Sequence, residues 1–108
     1  MKKTDDAVVL VYTTLADSDT AAMIAVEMVN TGHAACANII PGMVAVYRWE
    51  GKVEQAGEVV LILKTSPERL EALRAGLAER HPYDTPAILT IPTSANAAFA
   101  AWVGAETG

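Results

Sequence analysis

The feature that most constrains the fold is a pair of long strand patterns joined by a two-residue turn, within residues 43–65. Strict alternation from residue 43 places Tyr47 and Trp49 on one strand face and leaves the residues between them on the other. Glu50-Gly51 is the candidate hairpin loop, because glycine tolerates the positive φ that tight hairpin turns require. The sequence therefore predicts a β-hairpin longer than a chain of this size needs.

The return strand, predicted over residues 53–65, contains an uninterrupted apolar run at residues 59–63. Such a run predicts a strand that is covered on both faces. The outer part of the hairpin has no such cover in its own sequence, and a two-stranded ribbon is only marginally stable alone in water. We therefore expect another copy of the chain to pack against it.

The remaining patterns complete a β-α-β-β-α-β order followed by a terminal helix. Predicted strands are residues 7–12, 35–40 and 87–92, with Pro41 marking an edge or a bulge. Predicted helices begin near Asp17 and at Ser66-Pro67, and a short terminal helix covers residues 96–103. This order predicts an α+β, ferredoxin-like sandwich with two helices on one face of an antiparallel sheet.

Size and charge narrow the classes of function. The 108 residues predict one domain over residues 1–108, with residues 1–6 as a flexible tail. The net charge of -5 argues against a nucleic-acid partner. The single cysteine and the lack of an export or membrane-spanning segment predict a cytoplasmic protein without a membrane partner.

Several separated motifs resemble the CutA family of divalent-cation tolerance proteins. They are, in order, residues 34–42, residues 47–51, Lys64-Thr65 and the His-Pro-Tyr-Asp-Thr-Pro run at residues 81–86. The resemblance covers residues 8–102 and implies a homotrimer held by long hairpins, with a link to copper and other divalent metals. It also implies metal ligation at Cys36 and His81. Some family members carry a second cysteine at the end of the first strand, where this chain has Tyr12.

Cys36 and His81 are suitable ligand types, because thiolate sulfur favours Cu(I) and imidazole suits both copper and zinc. Two ligands do not close a zinc site, which needs four, so Glu58, Tyr83 or a neighbouring subunit would complete the shell. The alternative is that Cys36 is a small buried apolar side chain and that His81 braces the end of the second helix.

A second candidate site is an inter-subunit pocket formed by Tyr47, Trp49, Glu58, Lys64 and Tyr83. Glu58 and Lys64 share parity on the return strand, and they share a face with Tyr47 and Trp49 unless a bulge intervenes. Aromatic rings, a carboxylate and an ammonium could line a cleft for a small polar ligand. The alternative is an interface ion pair with aromatic packing.

Three functions remain open at this point. The leading one is a metal-binding trimer in copper tolerance, with copper or another divalent metal as the only cofactor and no organic cofactor. The second is a sensor similar to the PII nitrogen regulators that binds a nucleotide or another small molecule between subunits. The third is a structural trimer that scaffolds another protein. No nucleophile elbow, glycine-rich phosphate loop or zinc-protease motif is present, so we predict that the chain is not an enzyme.

Overall fold

The computed structural model describes residues 6–108, and four strands form one antiparallel sheet in the order β2-β3-β1-β4. The elements are β1 (Ala7–Leu15), α1 (Ser18–Asn30), β2 (Cys36–Trp49), β3 (Lys52–Thr65), α2 (Leu70–Arg80), β4 (Leu89–Ser94) and α3 (Ala97–Thr107). This is the predicted ferredoxin-like α+β order, which is confirmed. The predicted tail at residues 1–6 lies, apart from Asp6, outside the described residues.

One face of the sheet packs against α1 and α2. The largest fully buried side chains of this core are aliphatic residues and one methionine that recur at strand or helix spacing: Val11, Leu15, Met28, Leu61, Leu63, Leu73 and Leu77. Asp17 starts α1 as predicted, because its Oδ1 accepts the Thr20 N–H at 2.7 Å. Gly32 follows the end of α1 with φ 76°, a conformation that favours glycine.

The other face of the sheet is partly covered by α3. Val8 and Ala35 pack there with Ala100 and Val103, and this helix runs four residues beyond its predicted end at residue 103. Ser66 stands at the predicted N-cap position with Pro67 in the first turn, but its side chain makes no capping hydrogen bond. Its hydroxyl lies 2.8 Å from Thr107 Oγ1 instead, and a 3-10 turn at Pro67–Arg69 precedes α2.

The β2-β3 hairpin is the longest feature of the molecule. Both strands have 14 residues, which corresponds to roughly 46 Å of extended chain at the usual rise. The longest dimension of the molecule is 48 Å. The radius of gyration is 14.8 Å, against about 13 Å for a compact domain of this length. The predicted turn is confirmed, because Glu50 and Gly51 both have positive φ, at 50° and 79°.

A register shift divides β2 into an inner and an outer part. It falls between Ile40 and Met43, where the predicted Pro41 interruption stands and Gly42 has φ 82°. Residues 43–58 beyond this shift are called the outer hairpin below. Their β2 and β3 partners remain in register from Met43 with Glu58 to Trp49 with Lys52.

The outer hairpin exposes apolar side chains in a single chain. Val44, Val46 and Val53 are 64%, 62% and 67% exposed, and Trp49 is 62% exposed. The three valines lie on the sheet face that carries α1 and α2, beyond the reach of either helix. This surface is uncovered in one chain, and the packing of a second copy against it stays a prediction.

Candidate functional site

A groove lies where the outer hairpin meets the loop between α2 and β4. Its volume is about 630 Å³, within the usual range for small-molecule sites. The side chains that line it are mostly aromatic or small, with one carboxylate: Thr14, Ala16, Ala45, Tyr47, Trp49, Ala56, Glu58, Tyr83, Thr85 and Ala87, with Gly57. We call this surface the Glu58 groove.

Glu58 and Tyr83 are joined across the groove. The Tyr83 hydroxyl donates to Glu58 Oε2 at 2.8 Å, and both side chains are half-buried. Burial, together with this hydrogen bond and the negative charge of Glu58, raises the pKa of Tyr83 to about 12. The phenol therefore stays protonated and keeps donating to the carboxylate at neutral pH.

Strand register places the groove residues on one face. Glu58 pairs with Met43, which has the parity of Tyr47 and Trp49, so Glu58, Tyr47 and Trp49 share a face. The bulge lies on β2, and β3 runs through without a shift. Tyr83 reaches the same place from the loop after α2, which is how the fold completes the cluster.

Lys64 does not belong to the groove. It shares the face of Glu58, but six residues of β3 separate them, or roughly 20 Å at the rise of a strand. Its ammonium lies 5.6 Å from the centre of the Phe99 ring in α3, a cation–π distance. The structure thus brings together Tyr47, Trp49, Glu58 and Tyr83, and leaves Lys64 elsewhere.

His81 is buried, and both of its ring nitrogens have hydrogen-bond partners. Nδ1 accepts the backbone N–H of Tyr83 at 3.2 Å, so Nε2 carries the proton and faces the Thr14 carbonyl at 2.9 Å. Thr13 Oγ1 lies 3.0 Å from the same nitrogen. A metal would have to displace one of these bonds to reach the imidazole.

The structure places Cys36 on the opposite side of the sheet from His81. Cys36 pairs with Lys64, which pairs with Leu10, and Leu10 packs in the cluster under α3. Thr13, the partner of His81, alternates with Val11 and faces α1 and α2. The two predicted ligands of one chain are therefore not brought together.

A complete metal centre is not found within the part of the chain that the structure describes. No three His, Cys, Asp or Glu side chains of residues 6–108 are grouped so that they could hold an ion. Cys36 is half-buried and free. Metal binding at Cys36 and His81 stays a prediction, and any shell would need ligands from outside one described chain.

Thr13 and Thr14 were not predicted as site residues. Thr13 binds the His81 ring, while Thr14 accepts from it and lines the Glu58 groove. The sequence pattern that could have indicated them is the pair of threonines near the end of the largely apolar β1. A hydroxyl that is buried in such a strand needs a hydrogen-bond partner. Nothing in the sequence indicated that His81 would be that partner.

Tyr83 gives a direct test of the groove geometry by spectroscopic titration. Its folded pKa of about 12 exceeds the ordinary value of 10.0, so between these pH values the folded chain keeps a proton that the unfolded chain loses. We expect the unfolding free energy to fall as pH rises through this window. We also expect the phenolate absorbance of the wild type to contain a late-titrating tyrosine that is missing in Tyr83→Phe. A difference between the two titration curves centred near the ordinary pKa of 10.0 would contradict the hydrogen bond to Glu58.

The fold and the groove indicate the class of this protein. The chain is a ferredoxin-like α+β protein with an extended β2-β3 hairpin and an aromatic, acidic groove at the base of that hairpin. The model of the CutA1 divalent ion tolerance protein family matches residues 9–106. The chain therefore belongs to the CutA1 family of divalent ion tolerance proteins.

Relatives of known name or structure support the same assignment. The chain is 40% identical over 106 residues to a divalent-cation tolerance protein CutA from Escherichia coli O139:H28, covering 97% of this chain and 95% of the relative. The crystal structure of CutA1 from Oryza sativa matches with a TM-score of 0.90 at 33% identity, covering 97% of each chain. The expected CutA resemblance is confirmed.

The prediction of a cytoplasmic location is wrong, because a similar protein is described as periplasmic. A CutA protein from Archaeoglobus fulgidus, 31% identical with a TM-score of 0.89 over 94% of this chain and 99% of its own, is described as periplasmic. The prediction rested on the single cysteine and on the short N-terminal apolar run, neither of which fixes a compartment. Within residues 6–108, no helix combines the length and the apolar character needed to span a bilayer.

Proposed function

We propose that this protein contributes to divalent-cation tolerance as a homotrimer assembled through its outer hairpins. The observation that carries this proposal is the apolar surface that the outer hairpin leaves uncovered in one chain. Membership of a family named for divalent ion tolerance supplies the process. The number of copies comes from the family resemblance, while the need for a partner comes from the hairpin itself.

Metal contact in this proposal centres on Cys36, with copper as the preferred ion. The thiol is half-buried, so it is accessible at the sheet surface, and thiolate sulfur favours Cu(I). One thiolate does not complete a copper site, so ligands from other copies would fill the shell. His81 is the weaker candidate, because both of its nitrogens already have partners.

The experiment is a competitive Cu(I) titration under reducing conditions on wild type, Cys36→Ala and His81→Ala. We expect Cys36→Ala to weaken Cu(I) binding by at least about tenfold, since the soft ligand is lost. Affinity per folded molecule should be little changed in His81→Ala. The matched control is His33→Ala, which removes the other histidine.

The same variants can be scored for growth on copper in a bacterial strain that lacks its own CutA. Rescue by wild type together with failure of Cys36→Ala would connect the thiol to tolerance. Copper affinity that survives in Cys36→Ala would overturn the role of the thiol. Loss of binding in His81→Ala, with its fold intact, would instead restore the histidine as a ligand.

We also infer that the chain is a binding protein and not an enzyme. The nucleotide-sensor alternative has little support, because no Lys, Arg or His among residues 6–108 lines the Glu58 groove to neutralise phosphate. The scaffold alternative rests on the same exposed hairpin as the proposal. Protein partners recovered without any metal effect on stability would favour a scaffold.

A further inference from the structure

We propose that the Glu58 groove binds a small organic cation, an alkylammonium held between the Glu58 carboxylate and the surrounding aromatic rings. This ligand class goes beyond divalent-cation tolerance. The inference also stands apart from the metal proposal, because neither Cys36 nor His81 lines the groove. It is compatible with the proposed assembly, because the exposed valines of the outer hairpin lie on the face opposite to Glu58. It rests on the shape, the charge and the aromatic lining of the groove.

The charge of the groove is negative and is not neutralised by its own walls. Among the described residues that line the groove, Glu58 is the carboxylic acid and none is Lys, Arg or His. Among residues 6–108, Glu58 has no ion pair, and its hydrogen-bond partner is the neutral Tyr83 phenol. A half-buried carboxylate without a counter-charge favours a cationic ligand.

Neighbouring charged groups strengthen this preference. Asp17 lies near enough to Tyr83 that its negative charge helps to raise the pKa of the phenol, after the larger effects of burial and Glu58. On the hairpin, Glu54 pairs with Tyr47 and Lys52 pairs with Trp49, both on the groove face but nearer the turn. Two of these three outlying groups are acidic, so the surroundings do not reverse the sign of the groove.

The aromatic lining fits an ammonium group with an alkyl stem. Tyr47, Trp49 and Tyr83 contribute rings to one groove, and ring faces attract cations within about 6 Å. The alanine positions provide small apolar surface on which an alkyl stem can pack. Tyr83 occupies Glu58 Oε2, which leaves Oε1 to accept from the ligand.

The same geometry disfavours the other small ligands considered. An inorganic divalent ion prefers several oxygen ligands, and no group of three or more acidic, histidine or cysteine ligands is found in the described part of the chain. A nucleotide or another anion would meet an acidic groove in which none of the described lining residues is cationic. An organic cation needs only one carboxylate and nearby aromatic rings, and both line the groove.

The test compares three ligands of similar size by titration calorimetry on the full chain: n-butylammonium, n-butanol and butyrate. We expect n-butylammonium alone to bind and to raise the melting temperature. Glu58→Gln keeps an acceptor for Tyr83 but removes the charge, and it should weaken binding by at least about tenfold. Tyr83→Phe should also weaken binding, because it releases the carboxylate from its position.

The matched control is Glu68→Gln, which makes the same change of charge at an exposed position in the 3-10 turn before α2, outside the groove lining. It should bind n-butylammonium as the wild type does. Equal binding of n-butanol, unchanged affinity in Glu58→Gln, or no binding of the ammonium at millimolar concentration would each overturn the proposal. Circular dichroism on every variant separates lost binding from lost fold.

Discussion

Replacing Val46 by aspartate is expected to separate the assembled protein into monomers that keep their fold. Val46 is 62% exposed in the single chain and stands among the exposed valines of the outer hairpin, so the substitution costs the isolated fold little. In an interface, the same carboxylate would lose its water without gaining a partner. A buried unpaired charge costs several kcal/mol, so we expect the association constant to fall by more than about a hundredfold.

Light scattering after gel filtration measures this effect directly, and the concentration dependence of the melting temperature gives a second measurement. Ala78→Asp is the control, because it adds the same charge at an exposed position of α2 away from the outer hairpin. It should leave the assembled mass unchanged. A Val46→Asp protein of wild-type mass, or a wild type that is already monomeric, would contradict assembly through the outer hairpin.

Replacing His81 by alanine is expected to lower the unfolding free energy by about 2–4 kcal/mol. The ring is 8% exposed, and its nitrogens bond to the Tyr83 N–H and to the Thr14 carbonyl. Alanine would leave both groups without this partner and would open a cavity beside Thr13. It would also loosen Tyr83, whose ring contacts the His81 ring at 4.7 Å between centroids.

Urea unfolding of three variants tests this structural role. His33→Ala is the control, because His33 is half-buried and its Nδ1 lies 3.3 Å from an Arg69 nitrogen at the other end of α2. It should cost less than His81→Ala, and Cys36→Ala should cost about 1 kcal/mol or less if its site relaxes. A stable His81→Ala protein would mean that the ring is dispensable to the fold and free for another role.

The order of elements and the hairpin could be predicted because they depend on local rules. Strand alternation identified Tyr47 and Trp49 as residues of one face, and the Glu50-Gly51 turn follows from the backbone freedom of glycine. Pro41 marked the register shift because proline cannot donate to the ladder. Each of these properties is encoded within a few residues of sequence.

The residues of the site could be predicted only in part. The alternation of a strand tells which side chains share a face, but it does not tell how far apart they lie along the strand. Lys64 has the parity of Glu58 and yet lies roughly 20 Å along the strand. The hydrogen-bond partner of a buried side chain also depends on the tertiary structure. Ser66 reaches Thr107 across 41 positions of sequence, and the two β1 partners of His81 lie 67 and 68 positions away.

Each of the two edge strands of the sheet contains a proline, which lowers the risk of aggregation. β2 and β4 are the edges of the sheet, and each contains a proline, Pro41 and Pro92, while β1 and β3 contain none. An unpaired apolar edge of 14 residues would otherwise be a template for amyloid-like strand addition. A proline removes one donor from such an edge, and at Pro41 the bulge also breaks its straight line. A single chain in solution therefore has less risk of forming fibrils through its edge strands.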